Sequence, residues 1–433
     1  MKVYEYGKDD FNLLFDRLKE RSPEGRKDIE EVVFGILHSV KERGDIALVD
    51  YTQKFDGVTL NLKAIEVSKV ELEGACLSVD KDLLKVMEKA AANIRAFHEK
   101  QQENSWFMTG EDGTLLGQKI TPLNRVGVYA PAGSAPLPST VLMDVIPAKV
   151  AGVSEIILCS PPGKNGKINP LVLACAKLAG VDRVFSVGGA QAVAAMAYGT
   201  ETLPKVDKIV GPGNIYVAMA KKLVFGICGI DMIAGPSEVL IIADETANSA
   251  YIAADLLSQA EHDPLASSIL ITTSKEMAAQ VEKELQQQLS KLSRKEIAAK
   301  SIEDYGAVVL TNTIKEAIEI SNIIAPEHLE VCTADPLLLL SSIKNAGAIF
   351  LGNYSPEPLG DYYAGPNHTL PTSGTARFFS PLGVYDFVKR QSVIYYSQKA
   401  LLKAASDVTA FADAEGLTAH AEAIRIRTRE GKA

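Results

Sequence analysis

The chain has 433 residues, 47% hydrophobic and 23% charged, a globular composition too long for a single core, so two or more domains are expected. A net charge of −9 argues against nucleic acid as a partner, because phosphate-backbone binding needs a concentrated basic surface. No window approaches the roughly 18 apolar residues of a membrane span and Met1–Tyr6 opens no secretory signal, so a cytoplasmic protein without a membrane partner is expected.

Residues 1–100 read as mostly helical, with amphipathic stretches around Phe11–Leu18, Ile29–Arg43 and Leu83–Gln101. His38 and His98 fall in these helices and are treated as structural. Cys76, Cys159, Cys175, Cys228 and Cys332 form no C-x-x-C pair and read as reduced thiols. From about residue 120 short β-rich runs alternate with small-residue helices: Arg125–Tyr129, Glu155–Cys159, Arg183–Val187 and Lys208–Val210. That alternation is the period of βαβ units and implies a parallel sheet over about 120–236. Three of the strands open into glycine-rich turns, Ala130–Ala135, Gly188–Gln191 and Gly211–Asn214, which suit close backbone approach to a ligand and anion binding at a helix start. Tight turn chemistry needs the same glycines, and without a G-x-G-x-x-G fingerprint a dinucleotide does not follow from spacing.

After Gly235-Pro-Ser-Glu238 a second α/β series begins, with strands at Val239–Ala243, Ser268–Thr272, Ala307–Leu310 and Ala348–Leu351. The helix after its first strand is biased by Pro264 to stop near His262. Asp255, Gln259 and His262 then share one face at i, i+4 and i+7, opposite Ile252, Leu256 and Ala260. Such a face is often merely solvated, but a helix end above a sheet is also where α/β proteins place their sites. Residues 352–375 hold four prolines and four glycines and read as a long loop of functional type, carrying Asp361 and His368. From about 382 the tail reads as helical, with a turn at Glu415–His420.

Four of the six histidines, His262, His328, His368 and His420, fall at element ends or in loops of the last two-fifths. His262, His420, Gln259 and Asp361 make an N₂O₂ set suited to zinc, one choice among several because no local metal motif is present. Glu327-His328 places a carboxylate beside an imidazole, the composition of a general base pair; Glu327 after Pro326 also suits a plain helix N-terminus.

Five blocks resemble the signatures of the histidinol dehydrogenase family, nearly end to end and in order: Gly211-Pro-Gly-Asn-Ile-Tyr-Val-Ala218, Asp231-Met-Ile-Ala-Gly-Pro-Ser-Glu-Val-Leu240, Gln259-Ala-Glu-His-Asp-Pro264, Ala325-Pro-Glu-His-Leu-Glu330 and Gly365-Pro-Asn-His-Thr-Leu-Pro-Thr372. The chain departs from the family pattern at Ala132 and Ser373, where glycine is usual. The resemblance implies a zinc enzyme that takes L-histidinol to L-histidine through L-histidinaldehyde with two NAD⁺. It implies Gln259, His262, Asp361 and His420 as ligands of one zinc per subunit and Glu327 and His328 as the acid–base pair. Substrate contacts would come from Ser237, Glu415, His328 and the four ligands, and NAD contacts from Tyr129, Gln191 and Asn214. It further implies a homodimer in which the tail completes the neighbour's site. The fold expected is α/β, two Rossmann-like parallel-sheet domains with a helical N-terminal segment and a helical C-terminal tail. The expected boundaries are 1–26, 27–119 joined with 237–381, 120–236, and 382–433. A zinc hydrolase and a non-catalytic two-domain binder are the alternatives the residues leave open, and reduction of NAD⁺ by histidinol separates the dehydrogenase from both.

Overall fold

The six-residue runs Glu238–Ala243 and Ser267–Thr272 are buried along their whole length, as central strands of a parallel sheet covered on both faces must be. The computed structural model describes residues 1–21, 26–62, 65–132 and 136–429. Its strands in chain order are β1 (Lys2–Glu5), β2 (Trp106–Thr109), β3 (Leu115–Pro122), β4 (Arg125–Tyr129), β5 (Glu155–Ser160), β6 (Arg183–Ser186), β7 (Lys208–Val210), β8 (Gly229–Ile230), β9 (Glu238–Ala243), β10 (Ser267–Thr272), β11 (Ala307–Leu310), β12 (His328–Cys332), β13 (Ala348–Leu351) and β14 (Val388–Tyr395).

The described residues divide into two compact units, Met1–Gln101 with Leu123–Phe387, and Gln102–Pro122 with Val388–Ala433. The first holds two all-parallel sheets, ordered β6-β5-β4-β7-β8 and β1-β11-β10-β9-β12-β13. In each sheet the order runs outward to both sides of the strand that comes first in that α/β series, β4 or β9, as in the Rossmann-like arrangement expected.

The N-terminal stretch is not only helical, because β1 pairs with β11 at the edge of the larger sheet. The helices of residues 27–99 also pack differently from the grouping with 237–381. Val33, Ile36, Leu37 and Val40 of the helix Lys27–Arg43 repeat at helical spacing and join a core with Phe185, Met196, Ile209 and Val217. Met87, Ala90 and Ile94 of the helix Lys81–Glu99 pack with Val126, Ile146 and Leu158 on the other face of that same sheet. Both faces of β4–β7 offer apolar side chains, and an amphipathic pattern states that a helix is covered without stating by which sheet.

In the second unit β14, β3 and β2 form an antiparallel sheet in that order. The tail is therefore not purely helical; its two helices, Gln398–Ala414 and Thr418–Arg429, follow a strand. Ser397 caps the first helix through the Ala400 N–H, and Arg425 on the second pairs with Asp413 on the first. No described helix is long and apolar enough to cross a membrane.

Replacing Leu37 by Ala should lower the unfolding free energy by about 2–5 kcal/mol. The accompanying loss of amide protection, read by hydrogen exchange, should fall in β5 and β6 and leave β9 and β10 unchanged.

Candidate active site

β12 begins at His328 and lies beside β9, with His328 opposite Val239. Glu327, His328 and Glu238 thus meet at the amino ends of the strands. The helix Ser249–Ala260 runs back from β9, so its last turn reaches this amino edge, the opposite edge from the one the general α/β rule favours. His328 is the first residue of a central strand rather than part of a turn.

Glu238 ties the pair together. Its N–H donates to Glu327 Oε2 at 2.8 Å, and its carbonyl oxygen lies 3.0 Å from His328 Nδ1. A carbonyl only accepts, so Nδ1 carries the proton and Nε2 keeps its lone pair. Nε2 is buried without a partner, 3.9 Å from Asp361 Oδ1. Burial, with repulsion from Glu238 and Asp361, pushes the Glu327 carboxyl up to about 8 against the lowering influence of His328 and the Glu238 amide. The pair is an imidazole whose Nδ1 is held by a main-chain carbonyl and whose Nε2 is unpartnered, beside a carboxyl pushed up to about 8.

Gln259 is fully buried and neither its amide oxygen nor its nitrogen has a partner, which excludes a merely solvated face. His262, one turn on, lies just past the end of the helix. Asp361 is on the short helix Glu357–Tyr362 inside the stretch read as loop. His262, Glu357 and Asp361 bring one ligand atom each within 4.8 Å of one another, and His368 Nδ1 lies 3.9 Å from Asp361 Oδ1. Carboxylates buried this close repel unless a positive charge lies among them, and with the stranded Gln259 amide one turn away the donors fit a divalent cation.

Glu357 is absent from the sequence-derived set. Its signal is the i, i+4 spacing to Asp361 behind Pro356, obscured by the prolines and glycines around it. Ser258 donates to its Oε2 at 2.9 Å, and its own N–H donates to Glu330 Oε1 at 2.8 Å. Burial, with repulsion among them, raises Glu330, Glu357 and Asp255 above the ordinary carboxylate range, and Glu330 Oε2 is buried without a partner.

Tyr129, Gln191 and Asn214 sit at the carboxyl ends of β4, β6 and β7, with β4 and β7 flanking the point where strand order reverses. The Tyr129 hydroxyl accepts the Gly189 N–H at 3.1 Å, and Gln191 Oε1 is buried without a partner. Asn214 Oδ1 caps the helix Ile215–Val224 by accepting from the Tyr216 and Val217 N–H groups. Gly211 has φ +112°, and a side chain there would strike the Tyr129 carbonyl. Buried Lys221 donates to the Gly211 carbonyl at 2.8 Å and pairs with Asp231, which accepts the Gly211 N–H at 2.8 Å. Two helix starts at the reversal point fit the phosphates of a cofactor, and the unpartnered Gln191 oxygen could accept from a donor group on it. Gly133–Ala135 of the first glycine-rich turn lie outside the described residues.

Ser237 immediately precedes Glu238 on the turn into β9. Ser373, in place of the usual glycine, holds φ at +55°, in the left-handed region. Glu415 and His420 belong to the second unit, where both are exposed and line an apolar hollow of about 620 Å³ with Val408, Phe411, Leu417 and Ile424.

A histidinol dehydrogenase family model matches residues 19–428. Histidinol dehydrogenases of Clostridium acetobutylicum and Aquifex aeolicus are 54% and 55% identical, covering 99% of this chain and 99% and 100% of their own lengths. The crystal structure of histidinol dehydrogenase from Elizabethkingia anophelis superimposes with a TM-score of 0.93 at 39% identity, covering 100% of this chain and 99% of that one. With the family model spanning nearly the whole chain around a buried carboxylate–imidazole pair, the chain belongs to the histidinol dehydrogenase family and is an oxidoreductase of histidine biosynthesis.

Proposed function

We propose that the enzyme oxidises L-histidinol to L-histidinaldehyde and then to L-histidine in one site, with one zinc per subunit and two NAD⁺ per turnover. The observation that carries this is the buried pair held by Glu238: a basic His328 Nε2 turned toward Asp361 and a neighbouring carboxyl that titrates near neutrality. Gln259, His262 and Asp361 would hold the metal together with the partner's His420. When bound, the metal would supply Lewis acidity and a fixed point for the substrate, and the nicotinamide would supply a hydride acceptor. His328 Nε2 accepts the proton of the substrate hydroxyl as the carbon–hydrogen bond is oxidised. Glu327, as carboxylate, takes a proton from the water that adds to the aldehyde, and His328 accepts the second hydroxyl proton. Tyr129, Gln191 and Asn214 orient the cofactor, and Ser237 and Glu415 contact the substrate.

The exposed Glu415 and His420 beside an uncovered apolar hollow support a homodimer in which each tail completes the neighbour's site. A cytoplasmic location goes with this reading.

Wild-type enzyme should form two NADH per histidinol, followed by NADH absorbance, whereas a hydrolase or a binder forms none. Glu327→Gln should stop near one NADH per histidinol, its aldehyde oxidation slowed about 10²-fold or more. Equal slowing of both oxidations would remove Glu327 from the role of water activator. Asp361→Asn should purify with little zinc by elemental analysis; a full equivalent would take Asp361 out of the ligand set. Mixing Glu327→Gln subunits with His420→Ala subunits should restore one working site per hybrid dimer, and no recovery after subunit exchange would mean that each tail serves its own chain.

A further inference from the structure

Glu238 commits both of its main-chain groups to the pair, the N–H to Glu327 and the carbonyl to His328. Its side chain is what remains to fix its position. That carboxylate is buried and forms an ion pair with Arg21, itself only 3% exposed and 217 positions earlier in the chain. Arg21 also donates to the carbonyl oxygens of Leu265 at 2.9 Å and Leu18 at 3.4 Å, so the guanidinium is held on three sides. The Ser373 N–H reaches the same Glu238 Oε1 at 3.1 Å. Buried ion pairs of this kind gain little net stability over apolar residues of similar volume, so stability alone does not account for the pair. Arg21 and the Ser373 N–H both hold Oε1 and leave Oε2 without a partner, and a planar guanidinium fixed on three sides is well suited to holding that oxygen in one place.

We propose that Arg21 is a positioning residue for the reaction: through the Glu238 carboxylate it sets the main chain that orients Glu327 and His328. This rests on Glu327 and His328 being the catalytic pair. Arg21 touches neither of them, and its influence passes through the amide and carbonyl of Glu238. Small displacements of such groups cost rate more than substrate binding, because Gln259, His262 and Asp361, which would hold the metal and most of the substrate, lie on elements other than β9 and β12.

The test compares Arg21→Met, Arg21→Lys and the double variant Arg21→Met/Glu238→Gln, which leaves no buried charge unpaired. Circular dichroism and thermal melting report folding, zinc content reports the metal site, and steady-state kinetics with histidinol and NAD⁺ report kcat and KM. The double variant should fold, keep its zinc and its KM for histidinol, and lose about tenfold or more in kcat, while Arg21→Lys retains most of it. A folded double variant with parental kcat overturns the proposal. So does a fall of kcat and melting temperature with a parallel rise of KM that Arg21→Lys does not repair, since that marks a merely structural pair. Glu327→Gln run alongside separates the two levels. If it keeps full activity the catalytic reading fails and Arg21 with it; if it stalls while the double variant is unaffected, only the role of Arg21 fails.

Discussion

The position of the buried His328 ring in an acidic surrounding is set by a peptide group, the Glu238 carbonyl that accepts from its Nδ1. The Glu238 carbonyl facing His328 Nδ1 cannot donate, so in the neutral ring the tautomer is fixed with the hydrogen on Nδ1. A carboxylate in its place would stabilise the imidazolium and compete for the proton. The Glu238 N–H, turned to Glu327, partly offsets the burial that holds that carboxyl near neutrality. One residue at the start of β9 thereby separates the properties of two adjacent side chains.

The surrounding charge follows from the same burial. Asp361 and Glu357 converge on His262, and Glu330 with Asp255 lies directly behind Glu357. Burial and mutual repulsion raise Asp255, Glu330 and Glu357 together, and a cation held among His262, Glu357 and Asp361 would relieve that repulsion at the front. Arg21 is already committed to Glu238.

Both sheets were legible, because fully apolar six-residue strands and Val33/Ile36/Leu37/Val40 spacing are strong periodic signals. β12 was hidden for a physical reason: His328 and Glu330 interrupt the apolar run a buried strand normally shows, and Ala325 before it takes a left-handed conformation that sequence does not announce. Asp361 was singled out, but its helix was masked by prolines in its first turn, and Glu357 went with it. β1 and β14 are edge strands of mixed polarity, with only half of the usual signal. Gln259 and His262 were placed on one helix face by spacing, yet which edge of the sheet that face meets depends on the helix running antiparallel to β9. The complete ligand and cofactor sets came from family likeness rather than from periodicity.

The antiparallel sheet of the second unit has a consequence for biosynthesis. Its middle strand, β3, leaves the ribosome early, but its long partner β14 is some 270 positions downstream, as the Thr121–Gln391 contact records. Closing a loop of that length is slow, and until translation is nearly finished β3 is paired only with β2, through a short ladder of exposed residues. The nascent chain therefore carries an incomplete β-edge for most of its synthesis, and Lys119 on that edge is the kind of charge that discourages pairing with a stranger.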